Sequence, residues 1–569
     1  MNAAENANVT VDTELGRLSG VRTEGLCTFK GVPFAEPPVG DLRFKAPRLL
    51  RAWSGTREAG PTAPASFQMS PSNAQRVSAR IKELDPGVQG ILPWPSYVKD
   101  AYSIPNVSED CLYLSIWTPS VEPGRKLPVY IYFHGGANAV SSGSLEIEDG
   151  ANFARHNQVV VVKPNYRLGA LAWVHFGLLA DCDDMAEAVN LGLQDQIAAL
   201  EWVHRHIEAF GGDSANITVG GESAGATAVS HFLTNARARK YFKRAVIQSF
   251  TPFNNWCTSS PDDAKWVAKQ YLKILGMSSS RELLRAPAED LLAVQNIMTR
   301  YYSPDRNVAW RPLGGVVDGK HVQDFPARLL SEETVESEGL EVIIGFAKDE
   351  WQFFRGHAPI IENGSLEDVL RFMEQVLSPS DAHFIVHSFS ELPRNQGKPW
   401  GQVLSDIMSF VYFKLPSLWV AERLAQQGIP VRAYQFSYDL PGEGGKYRAL
   451  HTGNLPFLWL NVSEERLKNL SAFRGIDLAV AARSAESMVD RYSQFLHGEA
   501  ISDWACFDTS SRSVLWFGEA INNQPGLADA EIAIFKRLGI TRFQSLHEKL
   551  VVSLHRARAE HEAKSVVRA

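Results

Sequence analysis

Basic residues are too scarce here for a polyanion binder. Across 569 residues, 57 Lys and Arg stand against 64 Asp and Glu, a net charge of −7. Phosphate recognition calls for a basic surface, which argues against nucleic acid as a partner. Cysteine is scarce as well. Cys27, Cys111, Cys182, Cys257 and Cys506 are odd in number and lack CxxC spacing. That argues against a disulfide framework and a structural zinc site, and it fits a reducing, cytoplasmic compartment. The start MNAAENANVTVDTELG has no basic segment leading into an apolar one, and no apolar run is long enough to span a bilayer. Neither a signal peptide nor a membrane partner is expected. Sequons at Asn8, Asn106, Asn216 and Asn363 carry little weight without a secretory signal. Internal repeats and low-complexity linkers are missing too.

What is present alternates between strand and helix patterns. VTVDTELGRLSGV and the run from Cys111 to Trp117 alternate as half-buried strands. Residues 127–133 and 159–163 are continuous apolar runs of the kind buried on both faces of a sheet. LQDQIAALEWVHRHIE (193–208) has helical spacing and ends before Gly211 and Gly212, the usual helix stop. This alternation predicts an α/β fold with a largely parallel central sheet flanked by helices. We expect one α/β domain over 1–525. Helical insertions at about 260–340 and 360–430 cap it, and a Pro-rich irregular stretch at 70–105 borders its entrance. A helical extension follows over 526–569, with amphipathic patterns at 531–538 and 543–554, packed on its own domain or on a second copy.

Sites in such sheets lie beyond the carboxyl ends of the strands. ITVGGESAG (217–225) puts Ser223 there, between a strand and a helix. One reading is a plain tight turn. The other is a nucleophile elbow, whose small flanking residues let strand and helix approach while the turn exposes the serine oxygen. Upstream, His134-Gly135-Gly136-Ala137-Asn138 also follows a strand. Paired glycines let amide N–H groups face a pocket, so Gly135, Gly136 and Ala224 form a candidate oxyanion hole. Each motif is weak alone, and together they support each other.

Here a resemblance becomes specific. The chain is similar to type B carboxylesterases, the α/β-hydrolase family that includes cholinesterases, from about residue 10 to about 520. The collinear landmarks are FKGVPFAEPPVG (29–40), SEDCLYL (108–114), HGGA, NYRLG (165–169), Asp195-Gln196, FGGD (210–213) and GESAGA. The resemblance implies the α/β-hydrolase fold with cap insertions, ester hydrolysis through an acyl-enzyme, and two further catalytic residues. GFAKDE (345–350) supplies Glu350 as the acid, with Asp349 as the alternative. HTGNLPF (451–457) supplies His451, although Asn454 stands where relatives carry a carboxylate. The order Ser, acid, His is the α/β-hydrolase order. Glu222 is expected to support the histidine or a bound cation without joining the bond chemistry.

Departures from the family pattern bear on the substrate. No cysteine lies in GPTAPASFQ (60–68), so Cys111 is expected to be free and buried. Phe250 puts bulk near the acyl side of the pocket or packs in the core, and Asn138 replaces a common aromatic. Trp94 lies in a loop that cannot be aligned with a choline-binding tryptophan. A hydrophobic ester is therefore the expected substrate, with no cofactor or metal and a monomer or homodimer as the assembly. Lactone or carbamate cleavage, transacylation and cyclisation would use the same residues, and a non-catalytic binding protein could share the fold.

Overall fold

The computed structural model describes residues 7–60, 62–88, 104–250, 258–301, 313–357, 359–375, 377–543 and 545–546. Trp94, Cys257 and most of the 543–554 pattern lie outside them. Thirteen strands form the main sheet: β1 Ala7–Thr13, β2 Gly16–Thr23, β3 Leu26–Pro33, β4 Thr56–Glu58, β5 Tyr113–Thr118, β6 Leu127–Phe133, β7 Val160–Pro164, β8 Gly212–Glu222, β9 Arg244–Gln248, β10 Glu341–Ala347, β11 Val431–Phe436, β12 Val514–Phe517 and β13 Ile521–Gln524. Their order is β1-β2-β3-β5-β7-β6-β8-β9-β10-β11-β12-β13, with β4 beside β2.

The seven strands from β7 to β12 in this order run parallel, and the strands outside them pair antiparallel apart from β4 on β2. The sequences follow this division. β6 and β7 are buried at every residue, as strands covered on both faces must be, whereas β1 alternates and buries only Val11. The helices Leu191–His206 and Ala224–Leu233 flank β8 in sequence, and the second packs on both β8 and β9. Register then aligns the carboxyl ends. Phe133 lies opposite Gly221, Gln248 opposite both Glu222 and Gly345, and Phe436 opposite Ala347. The loops that leave β6, β8, β10 and β11 therefore emerge along one edge of the sheet.

Two expectations change. The stretch 70–105 contains a regular helix, Ala74–Leu84, not only irregular chain. Val77 and Ile81 at i, i+4 make its apolar face, which packs with Leu292, Ala293 and Ile297 of the helix Ala288–Tyr301. Part of the second presumed cap is instead a layer of the sheet, since Leu415–Gln426 packs on β10 and β11. That segment continues Trp400–Ser409 through a π-helical turn, Phe410–Lys414. The whole stretch Trp400–Gln426 reaches the length and hydropathy of a membrane span, but 94% of its apolar window is buried within the fold. The C-terminal helix Asp529–Arg537 packs on its own chain. Phe535 meets Phe389 and Phe410, and Glu531 pairs with Arg394. Cys111 is free and buried, and burial pushes its thiol up to about 12.

One buried ion pair ties the landmark motifs together. Arg167 of NYRLG donates from Nε and from an outer nitrogen to the two oxygens of Asp195, at 2.7 and 2.6 Å, and its other outer nitrogen reaches Lys45 O. Both partners are almost fully buried, so removing one strands the other. Asp195→Ala should lower unfolding stability by about 3–5 kcal/mol, the usual cost of breaking such a pair. Urea or thermal unfolding checks this, and an unchanged midpoint would contradict it.

Candidate active site

The turn at Ser223 begins with a steric problem. Ser223 has φ 55° and ψ −119°, a conformation L-residues avoid. It persists because strand, turn and helix are packed too tightly to relax. A methyl on Gly225 would stand 1.9 Å from Phe133 O, and one on Gly221 would stand 2.4 Å from the Gly225 carbonyl. Ser223 N donates to Gln248 O of β9 at 2.9 Å, which pins the turn from the other side. The serine is partly exposed, while its neighbours Glu222 and Ala224 are buried.

The loop after β6 lies against this turn. A methyl on Gly135 would approach Glu222 Oε2 at 2.8 Å and Ser223 Cβ at 3.2 Å. Gly136, Ala137 and Asn138 all have positive φ, so the chain curls and Gly136 O accepts from the amides of Ala139 and Val140. Among the described residues, the amides of Gly135, Gly136 and Ala137 donate to no acceptor. Gly135 is buried, whereas Gly136 and Ala137 are partly exposed. Ala137 thus joins Gly135, Gly136 and Ala224 as a candidate donor. Its signal in the sequence was position alone, one residue past the glycine pair. His134 stacks on Tyr166 at 4.5 Å, and burial lowers its pKa to about 4, so it supports the loop as a neutral ring.

His451 and Glu350 meet from different loops. Glu350 Oε2 accepts from His451 Nδ1 at 2.6 Å, and Glu350 Oε1 accepts from Ala347 N at 2.6 Å. Asp349 turns away, with Lys348 and Arg448 at 3.8 and 3.7 Å. Glu222 Oε1 lies 3.1 Å from His451 Nε2, off the line of a hydrogen bond. Both ring nitrogens therefore face carboxylates, and among the described residues no hydrogen bond joins the ring to Ser223. Burial pulls the His451 pKa down, but Glu222 and Glu350 outweigh it and raise the value. Burial pushes the Glu222 carboxyl above the usual carboxylate range, and the charged form of His451 pulls it back down. Phe353, Phe354 and Phe413 surround the imidazole at 5.0–5.9 Å between ring centroids. Sequence reading missed these rings. Two lie three and four residues after Glu350, but Phe413 comes from the π-helical turn, which no local pattern announces.

Of the other candidates, Phe250 is buried in the main core. Asn138 is 2% exposed and donates from Nδ2 to Leu313 O at 2.8 Å. Among the described residues, no three His, Cys, Asp or Glu side chains are grouped as metal ligands.

Comparison with known proteins gives a consistent result. The model of the carboxylesterase family matches residues 7–490. A phenmedipham hydrolase of Pseudarthrobacter oxydans is 30% identical over 520 residues, covering 89% of this chain and 94% of that one. A para-nitrobenzyl esterase of Bacillus subtilis is 28% identical over 79% of this chain and 83% of that one. Among solved structures, a Geobacillus stearothermophilus carboxylesterase superposes with a TM-score of 0.75 at 31% identity, covering 92% of this chain and 99% of that one.

The packing at Gly225 generates a direct test. Gly225→Ala forces β6 and the helix apart, and overpacking of this kind costs about 1–3 kcal/mol or more. Thermal unfolding should show a clear loss of stability. A variant as stable as the parent would contradict the geometry.

Proposed function

We propose the following chemistry for this chain, which belongs to the carboxylesterase family and is a serine hydrolase of carboxylic esters. Ser223 Oγ attacks the ester carbonyl and His451 Nε2 takes its proton. Glu350 accepts the Nδ1–H, which fixes the tautomer and stabilises the imidazolium as it forms. Amides of Gly135, Gly136 and Ala224, joined by Ala137, donate to the oxyanion. Losing one such donor typically costs about 3 kcal/mol of transition-state stabilisation. The alcohol leaves with the proton from His451. The ring then activates water, which releases the acid and frees Ser223.

The observation that carries this reading is the strained backbone of Ser223 between two glycines that no larger residue can replace. The apposition of His451 and Glu350 supports it. Glu222 acts as a positioning group. In the resting geometry its carboxyl stands beside Nε2, and it can stabilise the ring once protonated. The aromatic rings around His451 favour a hydrophobic ester. A benzyl ester of the kind named by the para-nitrobenzyl esterase fits that surround.

Hydrolysis of p-nitrophenyl acetate, butyrate and octanoate tests the proposal. Turnover should rise with acyl length, and Ser223→Ala should reduce it by about 10⁴-fold or more. Equal rates in parent and variant would overturn the assignment. The pH profile gives a second test. Protonated His451 cannot accept the serine proton, so kcat/KM falls as pH drops through its pKa. That pKa is raised above the ordinary histidine value, so the acid limb should have its midpoint above that of a free imidazole. Glu222→Gln removes a neighbouring negative charge and should move the midpoint down. An unmoved or rising midpoint would contradict the role given to Glu222.

A further inference from the structure

The C-terminal helix Asp529–Arg537 carries no catalytic candidate, yet its contacts lead to two of them. Phe535 is 2% exposed, and its ring lies 5.4 Å from Phe410 and 6.2 Å from Phe389. Phe410 opens the π-helical turn Phe410–Lys414. Three residues on, Phe413 is fully buried and packs on His451 at 5.0 Å and on Phe354 at 6.4 Å. The same segment also meets the loop of the catalytic acid. Ser409 Oγ accepts from Trp351 N at 2.9 Å, and the Tyr412 ring lies 5.0 Å from the Trp351 ring. Trp351 directly follows Glu350.

Charged groups fasten the helix to the same segment. Glu531, one turn before Phe535, is buried and pairs with Arg394. Arg394 lies 3.8 Å from Asp406, whose carboxylate accepts from Lys398 at 2.8 Å. Asp406 sits on Trp400–Ser409, the helix that runs into the π-helical turn.

A π-helical turn is a rare conformation whose hydrogen bonds close over one residue more than in an α-helix. Packing from outside has to hold it. In a regular helix Phe410 and Phe413, at i and i+3, would share one face. Here they meet different partners, Phe410 the C-terminal helix and Phe413 the imidazole. The turn is the joint between them. A cavity left by a missing Phe535 ring would be only partly refilled, so the joint would gain room to shift. A displacement of about 1 Å at a reacting group can cost about 10²-fold in rate.

We propose that Phe535 and Glu531 are positioning residues for His451 and Glu350. Phe535 holds Phe410, and Phe410 holds the π-helical turn that sets Phe413 against the imidazole and Ser409 and Tyr412 against Trp351. The C-terminal helix is then part of the esterase machinery, not an appendage to it. The proposal rests on the esterase reading.

Turnover per competent serine tests it in the full-length chain. Diethyl p-nitrophenyl phosphate releases one nitrophenol for each serine it modifies, so its endpoint counts competent sites. A role in folding alone lowers that count and leaves kcat per site unchanged. With p-nitrophenyl butyrate, Phe535→Ala should lower kcat per site about tenfold and move KM by less than about twofold, since positioning acts on the reacting groups. Phe535→Leu should recover most of the loss. Glu531→Gln, nearly isosteric and milder, should lower kcat per site about threefold, and it keeps the test open if Phe535→Ala yields no competent serine. Phe413→Ala should also lower kcat per site, and adding Phe535→Ala to it should cost less than about twofold more, because both act through one joint. Leu18→Ala, a cavity in β2 at the other side of the sheet, should leave kcat per site at the parent value. Parent values in Phe535→Ala, or in Glu531→Gln where Phe535→Ala does not fold, would overturn the proposal. Independent, multiplying losses in the double variant, or an equal loss in Leu18→Ala, would do the same. Parent protein with no titratable serine and no Ser223-dependent turnover would overturn the esterase reading itself, and this proposal with it.

Discussion

Everything at the reactive edge of this sheet hangs on the close approach of one helix to one strand. Gly225 sits so near Phe133 O that a single added carbon has no room. That contact holds the turn in its strained state and keeps Ser223 at positive φ. It also sets the loop after β6 beside the loop after β8, because Phe133 and Gly221 face each other in the parallel register. Parallel pairing then carries the alignment outward to β10 and β11, whose loops deliver Glu350 and His451. The fold thus brings residues 223, 350 and 451 to one edge through strand register, without a dedicated local motif joining them.

Electrostatics complete the arrangement. His451 is nearly enclosed by protein, where a charged ring is costly, yet two carboxylates stand at its two nitrogens. Glu350 has hydrogen-bond partners for both of its oxygens. Among the described residues Glu222 Oε1 has no aligned partner, and burial pushes its carboxyl up. The two carboxylates therefore differ in kind: one is hydrogen-bonded at both oxygens, and in the proposed chemistry it orients the ring while the other responds to its charge. The phenylalanines around the ring keep water away and strengthen both effects.

Much of this was legible in the sequence because local chemistry dictated it. Gly221 and Gly225 advertise close packing, β6 and β7 advertise two-sided burial, and the order of Ser223, Glu350 and His451 matched a known family pattern. Ala74–Leu84 was missed because two apolar residues in a Pro-rich setting are a faint signal, and that helix becomes stable only by packing on Ala288–Tyr301. Leu415–Gln426 was misplaced as a cap, since an apolar helix looks the same whether it covers a sheet or a pocket. Phe413 reaches His451 only because a π-helical turn rotates it there.

The central claim is that Ser223 carries the acyl group between the two halves of the reaction. Rapid acid quenching during turnover of a p-nitrophenyl ester, followed by peptide mass mapping, reads this directly. The account predicts the acyl mass on the peptide containing Ser223, appearing with the initial burst of nitrophenol. An acyl mass on another residue, or turnover with no acylated peptide at any time, would contradict it.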